Sequence, residues 1–503
     1  MDARITFNLE KLARVVNAGL PLLAVTSAFF GYYVSFYFHF LTVGLFILTV
    51  INFYYLKGQK KHTLLGNFGI LAQFRYLLES IGPELRQYLY ANDSEERPFN
   101  RNDRSDVYRK AKNIDSSAPF GTQKDYLPSE IKLRHSLFPI DKNDLIPFSL
   151  VFGEERGLNT AYTIHKPLMI SGMSYGALGM RAVRSLARGA GRSQIPMNTG
   201  EGGYPEHHLE ENCDLIFQMG TAKFGVRHPD GRLDEEKLES LAQKTAVKMI
   251  EIKFSQGAKP GKGGLLPKEK ITPEIAELRG IDPHQDVISP PFHLECHDLP
   301  STVKFIRQIQ EITDLPVGIK MCFGRESEFI RFVGEMKQQD VFPDYIAIDG
   351  AEGGTGAAPR AFMDEVGVPI MQALPRVVAA LEYHQVRHRC KIIAAGKLLS
   401  AGRQCMALAM GADAVYTARG FMLAIGCIQA LQCNMNTCPV GITTHDPQLQ
   451  NGIDIDTKSS RVESYVRNLW HDHCELLSSM GCRSHRELSR EHLYIPKQFF
   501  YES

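Results

Sequence analysis

The sequence predicts an α/β protein, a parallel (β/α)8 barrel of the TIM type preceded by an N-terminal transmembrane helical hairpin. Three observations carry that expectation. Short apolar runs recur at Pro167–Ser171, Ile195–Asn198, Ile216–Phe224, Met249–Phe254, Val317–Met321, Tyr345–Asp349, Lys391–Ala395 and Ala414–Thr417. Helix-like stretches such as Leu233–Lys248, Leu299–Thr313 and Gln404–Met410 lie between most of them. From Val15 to Leu56 there is no Asp, Glu, Lys or Arg. Strands alternating with helices read as a parallel β/α arrangement, and eight strands close a barrel. An open doubly wound sheet is the competing arrangement. The barrel is preferred because Gly-rich or charged residues follow nearly every run, where a barrel builds its active site.

Taken in order, the apolar N-terminal run is twice the length one membrane helix needs. It divides near Phe36–His39 into Gly19–Phe36 and Phe40–Leu56. Lys11 and Arg14 precede it, and Lys57, Lys60 and Lys61 follow it. Basic flanks on both sides place both ends in the cytoplasm, so the run is expected to be a two-span membrane anchor with the remaining chain cytoplasmic. A second span without a cleavage site argues against a secretory signal. A buried core hairpin is the other reading.

Residues 62–92 return to a mixed pattern, expected as one or two amphipathic helices ending near Gly82-Pro83. From Asn92 to about Asp141 the chain is polar, with Phe99, Tyr108, Phe120 and Tyr126 interspersed, and reads as an irregular segment laid over the following domain. The final stretch, Ile453–Ser503, reads as helical through Val462–Ser479. The expected organisation is a membrane anchor (1–60), a helical and irregular connecting segment packed on the barrel (61–149), the barrel (150–450) and a C-terminal helical extension (451–503).

Composition narrows the function classes. Lys plus Arg (57) nearly balance Asp plus Glu (56), so nothing in the net charge points to nucleic acid. Ten cysteines in 503 residues are too sparse for a disulfide scaffold. Three of them form Cys427-x5-Cys433-x4-Cys438-Pro439. Thiolates at such spacing suit an iron–sulfur cluster or zinc, and a Cys-Pro end recurs in cluster loops. Three buried thiols in a core loop would show the same spacing.

The strand ends carry Gly172-Met173-Ser174-Tyr175-Gly176, Asn198-Thr199-Gly200-Glu201-Gly202-Gly203, Lys253 with Gln256–Gly264, and Lys320. Asp349–Gly356, Gly396 with Lys397, and Ala418-Arg419-Gly420 follow. A Gly-rich turn alone is usually only a turn. Together these loops put exposed amides and several lysines on one rim, able to hold a phosphate after strands seven and eight. The last strand ends about ten residues before Cys427, so a phosphate and a cluster would be neighbours.

The stretches Asn198–Gly203, Ile252–Gly264, Ile288–Pro291, Gly353–Pro359 and Cys427–Gly441 resemble the synthase domain of glutamate synthase, over roughly residues 150–450. Arg75-Tyr76, Gly82-Pro83-Glu84 and Arg97-Pro98-Phe99 are more similar to the short, stand-alone synthase-like proteins of that family. The resemblance implies an FMN-binding (β/α)8 TIM barrel with a three-cysteine 3Fe–4S cluster, ligated by Cys427, Cys433 and Cys438; the residues themselves leave three or four irons open. It implies Lys320 beside the flavin's pyrimidine ring, Met173 and Ser174 against the ring, and Gly353, Gly354, Gly396, Ala418, Arg419 and Gly420 about the FMN and its phosphate. Glu201 and Lys270 match positions that meet substrate, so Glu201, Lys270 and Lys320 are the implied catalytic set.

The activity it implies is reduction of the imine formed from 2-oxoglutarate, or a related keto acid, and ammonia or an amine. A cluster moves single electrons and flavin pairs them. The implied partners are an electron donor such as ferredoxin or a separate reductase subunit, a separate glutaminase as ammonia source, and the membrane. No counterpart of the family's glutaminase domain, β-helix repeat or NADPH-binding unit is expected here. Where the family reads Gly-Gly-Gln-Leu-Pro this chain has Gly263-Gly264-Leu265-Leu266-Pro267, an amide exchanged for an apolar side chain. The competing functions are an FMN-dependent amino-acid or hydroxy-acid dehydrogenase passing electrons to a membrane partner, and a non-catalytic electron-transfer subunit.

Overall fold

A computed structural model describes residues 3–115, 117–122, 124 and 130–496. Tyr126, counted above among the aromatics of the connecting segment, lies outside the described residues. The chain divides into two compact units, Met1–Arg101 and Asn102–Ser503.

In the first unit, helices Ala3–Tyr33 and Phe38–Phe53 pack against each other, the second continuing as a wider turn through Gly58. Within them Lys11–Tyr33 and Phe38–Gly58 are long and apolar enough to cross a membrane, and only 17% and 6% of their apolar windows are buried. Core helices of this composition would be covered, whereas these expose Leu22, Phe29, Phe40, Phe46 and Phe53. The second lies within two residues of the expected Phe40–Leu56 at each end, whereas the first begins eight residues before the expected Gly19 and ends three before Phe36. Thr63–Phe68 and Ala72–Leu85 follow. Pro83 sits inside the latter instead of ending it, and a wider turn carries on to Tyr90.

The second unit is a closed barrel of eight parallel strands. They are β1 (Leu168–Ile170), β2 (Met197–Asn198), β3 (Leu215–Met219), β4 (Val247–Lys253), β5 (Val317–Met321), β6 (Tyr345–Asp349), β7 (Lys391–Ala395) and β8 (Ala414–Thr417). Each pairs with the next, and β8 pairs with β1. The open doubly wound sheet is thereby excluded.

Period-two alternation sorts the side chains. Phe217, Ile250, Ile252, Ile319, Ile346, Ile348, Ile392 and Val415 face out into one apolar layer with the surrounding helices. Met169, Ile216, Met249, Tyr345, Ala347, Ile393, Ala414 and Tyr416 face in. An antiparallel pair, Leu150–Phe152 with Tyr162–Ile164, joins that inner layer, with the Phe152 ring 5.4 Å from Tyr345 edge to face. Gly318 makes room for this tyrosine, since a Cβ there would stand 2.2 Å from its ring.

The C-terminal helix Ile455–Met480 starts at Asp454, whose carboxylate accepts from Thr457 N at 2.8 Å, several residues before the apolar periodicity suggested. It crosses Met180–Ser193 closely: a Cβ on Gly189 would lie 2.4 Å from Val462 Cβ. The connecting segment also holds an unanticipated helix, Arg101–Ala111. Its mean composition is strongly polar, so the apolar period was too thin to read. Only Val107 and Ala111 supply a buried apolar face.

Candidate active site

The inward positions that end β3 to β6 carry polar side chains, and these set the floor of the site. Glu251, wholly buried on β4, accepts at Oε1 from Asn198 Nδ2 (2.8 Å, β2) and Gln218 Nε2 (2.6 Å, β3), and at Oε2 from the Tyr416 hydroxyl (2.9 Å, β8). Burial, then the Glu251 charge, drives the Tyr416 phenol far above its ordinary pKa, so it stays a donor. A buried carboxylate is tolerated because each oxygen is satisfied. Sequence reasoning passed over Glu251 and Gln218. The signal was there: one Glu and one Gln at inward positions of otherwise apolar strands.

One register above, Lys253 and Lys320 end β4 and β5. Lys253 Nζ lies 2.9 Å from Glu201 Oε1 and donates to Gln256 Oε1 at 2.6 Å. Burial works to raise the Glu201 carboxyl, yet Lys253, with Lys259 and Arg279 farther away, outweighs it and holds the pKa below the ordinary 4.5. Arg279, a residue not singled out from sequence, is buried with its Nη2 on the carbonyl of Tyr175 (2.6 Å) and its guanidinium over Phe224. Burial lowers it to about 10, still protonated at neutral pH. Lys259 is buried and donates to Ala357 O at 3.1 Å. Three cations therefore surround one carboxylate, and the pocket carries an excess of positive charge.

Lys320, 5% exposed, lies 3.7 Å from Asp349 Oδ2 and 6.0 Å from the Tyr416 ring centre. The same Asp349 oxygen accepts from Gly257 N at 3.0 Å. Only glycine fits at 257, because a Cβ would stand 1.7 Å from the carbonyl oxygen of Gly350. The loops after β4 and β6 are thus pressed backbone to backbone. Gly200, at φ +70°, does the same on the other side, where a Cβ would lie 2.4 Å from Ser174 N. Met173 is buried and Ser174 half-buried in that first loop.

The loops after β6, β7 and β8 converge on Glu352. Arg419 Nη2 donates to the Glu352 carbonyl at 2.6 Å, and the Glu352 carboxylate accepts from Ile370 N at 3.1 Å. A Cβ on Gly354 would meet the Arg419 side chain at 2.8 Å, and one on Gly396 would meet Glu352 at 3.2 Å. The structure therefore brings Gly354, Gly396, Ala418, Arg419 and Gly420 to one corner of the rim, with Gly353 turning on Gly350 O at 2.8 Å. Burial lowers Arg419 to about 10, with Asp349 and Glu352 opposing, so the corner keeps its charge.

Beyond β8 the helix Arg419–Ala424 leads into the cysteine loop. Gln429, Leu431 and Asn436 there adopt left-handed backbone (φ +60°, +57° and +58°), a strained state for residues with a Cβ. Partners on several sides hold it. Tyr108 donates to Cys427 O at 2.6 Å, and Asn436 Nδ2 to Glu269 O at 2.8 Å. Lys270, 2% exposed, donates to Ala177 O (2.7 Å) and Cys433 O (3.1 Å). The Lys270 ammonium thus faces the cysteine loop and the loop after β1. Burial lowers it to about 8, against the pull of Cys433 and Cys438.

Gln429 N points at Cys427 Sγ, 3.4 Å away. Burial would raise the Cys438 thiol, but the Thr443 hydroxyl and the amides of Thr443, Val440 and Ile442 bring it below its ordinary pKa. Burial raises Cys427 to about 11. Among the described residues, no three His, Cys, Asp or Glu side chains stand close enough as placed to hold a metal ion. The donor chemistry still suits a soft metal: three thiols on one bent loop, with amides directed at two of the sulfurs.

Residues 98–483 match the model for the conserved region in glutamate synthase. The chain is similar to the glutamate synthase large subunit-like protein YerD of Bacillus subtilis, at 36% identity over 91% of this chain and 95% of that one. It is also similar to the archaeal-type glutamate synthase (NADPH) of Thermotoga maritima, at 35% identity over 64% of this chain and 62% of that one. It thus spans about three fifths of the latter's length. Among solved structures, the recombinant flavin-binding domain of baker's yeast flavocytochrome b2 superposes with a TM-score of 0.45 at 13% identity, over 86% of this chain and 88% of that one. The chain belongs to the glutamate synthase family, a family of oxidoreductases acting on CH–NH2 donors.

Proposed function

We propose that this chain is a membrane-anchored, cytoplasm-facing flavin and iron–sulfur oxidoreductase that reduces the imine of 2-oxoglutarate, or of a related keto acid, to the amino acid. The observation that supports this most is Lys270, whose one ammonium ties the loop carrying Met173 and Ser174 to the loop carrying Cys433. A flavin seated on the first and a cluster held by the second would be neighbours by construction.

In this reading Lys320, Met173, Ser174, Gly353, Gly354, Gly396, Ala418, Arg419 and Gly420 would hold FMN, and Cys427, Cys433 and Cys438 a 3Fe–4S cluster. When bound, the pair supplies conversion between single electrons and the electron pair that an imine needs. The protein's part is positioning and charge. Lys253, Lys259 and Arg279 give the pocket the positive excess that a dicarboxylate requires, and fix its carbon over one spot. Glu201 stays ionised beside Lys253 and accepts from the N–H groups of the incoming amine. A donor such as ferredoxin or a separate reductase delivers the electrons, and ammonia arrives free or from a separate glutaminase. The two uncovered apolar helices, with Lys11, Arg14, Lys57, Lys60 and Lys61 beside them, support the anchor.

Anaerobic purification from membranes, with absorbance and EPR spectra, tests the cofactors. Stopped-flow reoxidation of the reduced protein by 2-oxoglutarate and ammonia tests the reaction. Rapid flavin reduction by an amino acid, with no reoxidation by keto acid and ammonia, overturns the synthase assignment.

A further inference from the structure

The helix Ala72–Leu85 carries an apolar stripe that stands open. Phe74, Leu77, Leu78 and Ile81 are 63%, 54%, 44% and 41% exposed. At 3.6 residues per turn these four and Leu85 fall within an arc of about 100°. Arg75 and Glu79 pair at 2.8 Å outside that arc, and Ser80, Glu84 and Arg86 complete the polar side. Tyr88 and Leu89 extend the apolar side past the helix end, 54% and 69% exposed. A helix of this length does not keep such a stripe in water without a partner.

Its attachment says which partner. The turn Gly69–Leu71 that starts it is clasped to the apolar hairpin. Asn52, 3% exposed, accepts at Oδ1 from Ile70 N (2.7 Å) and donates from Nδ2 to Asn17 Oδ1 (3.1 Å). Gly69 sits at φ +59°, and a Cβ there would lie 2.1 Å from Asn52 Oδ1, so the clasp admits no other residue. Asn17 and Asn52 lie toward the hairpin ends that carry Lys11, Arg14, Lys57, Lys60 and Lys61. The stripe therefore begins at the depth where the apolar spans give way to basic residues.

We propose that residues 72–90 form an interfacial helix lying on an anionic lipid bilayer, with Phe74, Leu77, Leu78 and Ile81 inserted at the boundary of headgroups and acyl chains. The occupant is lipid because the stripe starts directly from a turn clasped to the exposed apolar hairpin, and the adjoining lysines complement anionic headgroups. The inference rests on the membrane-anchor reading above and extends it from two spans to a third, in-plane element.

The chain has one tryptophan, Trp470, which permits a direct test in the full-length protein. In a Trp470→Phe background, Phe46→Trp reports the hairpin, Leu78→Trp the stripe and Glu79→Trp the polar side. Each variant is reconstituted in vesicles of phosphatidylglycerol and acyl-brominated phosphatidylcholine. Expected is quenching of Phe46→Trp, quenching of Leu78→Trp by about twofold or more, and little change for Glu79→Trp. Quenching of Phe46→Trp alone overturns the interfacial helix and leaves the anchor standing. Absence of quenching at both Phe46→Trp and Leu78→Trp overturns both readings. Equal quenching at Leu78→Trp and Glu79→Trp overturns the assigned face. If the variants fold poorly, the wild-type chain is irradiated with photoactivatable phosphatidylglycerol. Adducts in the peptide containing Phe74–Ile81 support the inference, and adducts confined to 11–58 overturn it.

Discussion

Glu201 Oε1, on the loop after β2, and Lys253 Nζ, at the end of β4, stand 2.9 Å apart, with Lys259 and Arg279 adding charge around them. The Glu201 carboxyl is held below 4.5, so it contributes stability that is fully present above the unfolded value and is lost as pH falls through the folded one. Glu201→Gln removes that contribution and leaves the cations underpaired. The variant is expected to be less stable by about 1–3 kcal/mol at pH 7, with the gap to wild type closing below pH 4.5. Urea melts at stepped pH read this. A gap that does not change with pH would mean the pair carries no linked proton.

Glu251 poses a different question, because its carboxyl oxygens are met by two side-chain amides and a phenol. Glu251→Leu leaves the amides of Asn198 and Gln218 and the Tyr416 hydroxyl without an acceptor inside the barrel. The expected loss is about 3–5 kcal/mol. Glu251→Gln is expected to cost less than about 1.5 kcal/mol, since its oxygen can keep the two amides while the Tyr416 hydroxyl turns to accept. Thermal melts of both variants check the order. A Leu variant as stable as the Gln variant would show that the network is not what holds these strands.

The barrel was legible because its strands are short, apolar and regularly spaced. β5, β6, β7 and β8 fall where the periodicity placed them, and β3 is shorter because Thr221–Phe224 belong to the following turn. Lys253, Lys320 and the glycine loops were legible as strand ends. Glu251 and Arg279 were not. Both act from buried positions, and their partners come from strands or loops far away in sequence. Lys270 was singled out through the family resemblance as a residue that meets substrate; what the sequence did not show is that its ammonium also donates to the carbonyls of Ala177 and Cys433. Helix Arg101–Ala111 was missed because its face toward the barrel is polar, with Arg104 and Lys110 buried beside Val107.

That helix carries a prediction of its own. Tyr108 donates to Cys427 O at 2.6 Å, and Arg104 reaches Ile428 O at 3.4 Å, so the helix pins the entry of a strained loop. Tyr108→Phe keeps the ring and removes one hydrogen bond, at an expected cost of about 0.5–1.5 kcal/mol. Hydrogen exchange at residues 427–431 should quicken while the barrel strands stay protected. Exchange unchanged in the loop would show that Tyr108 does not restrain it.

Lys270 gives the sharpest test of the link between the two halves of the proposed site. Lys270→Met preserves length and removes the donor from the carbonyls of Ala177 and Cys433, both of which the lysine serves at 2% exposure. The expected cost is roughly 2–4 kcal/mol, and the residual loop should be more open to proteolysis between Leu431 and Met435. A positive charge beside Cys433 and Cys438 favours the more negatively charged state of anything those thiolates hold. The Met variant should therefore keep an iron–sulfur EPR signal while its midpoint potential falls relative to wild type. Lys270→Arg retains the charge and should move the potential less, even where crowding costs it stability. The stability loss and the potential shift separate across the two variants only if the ammonium acts by charge as well as by holding the loop. Equal potentials in Met, Arg and wild type would reduce Lys270 to a strut.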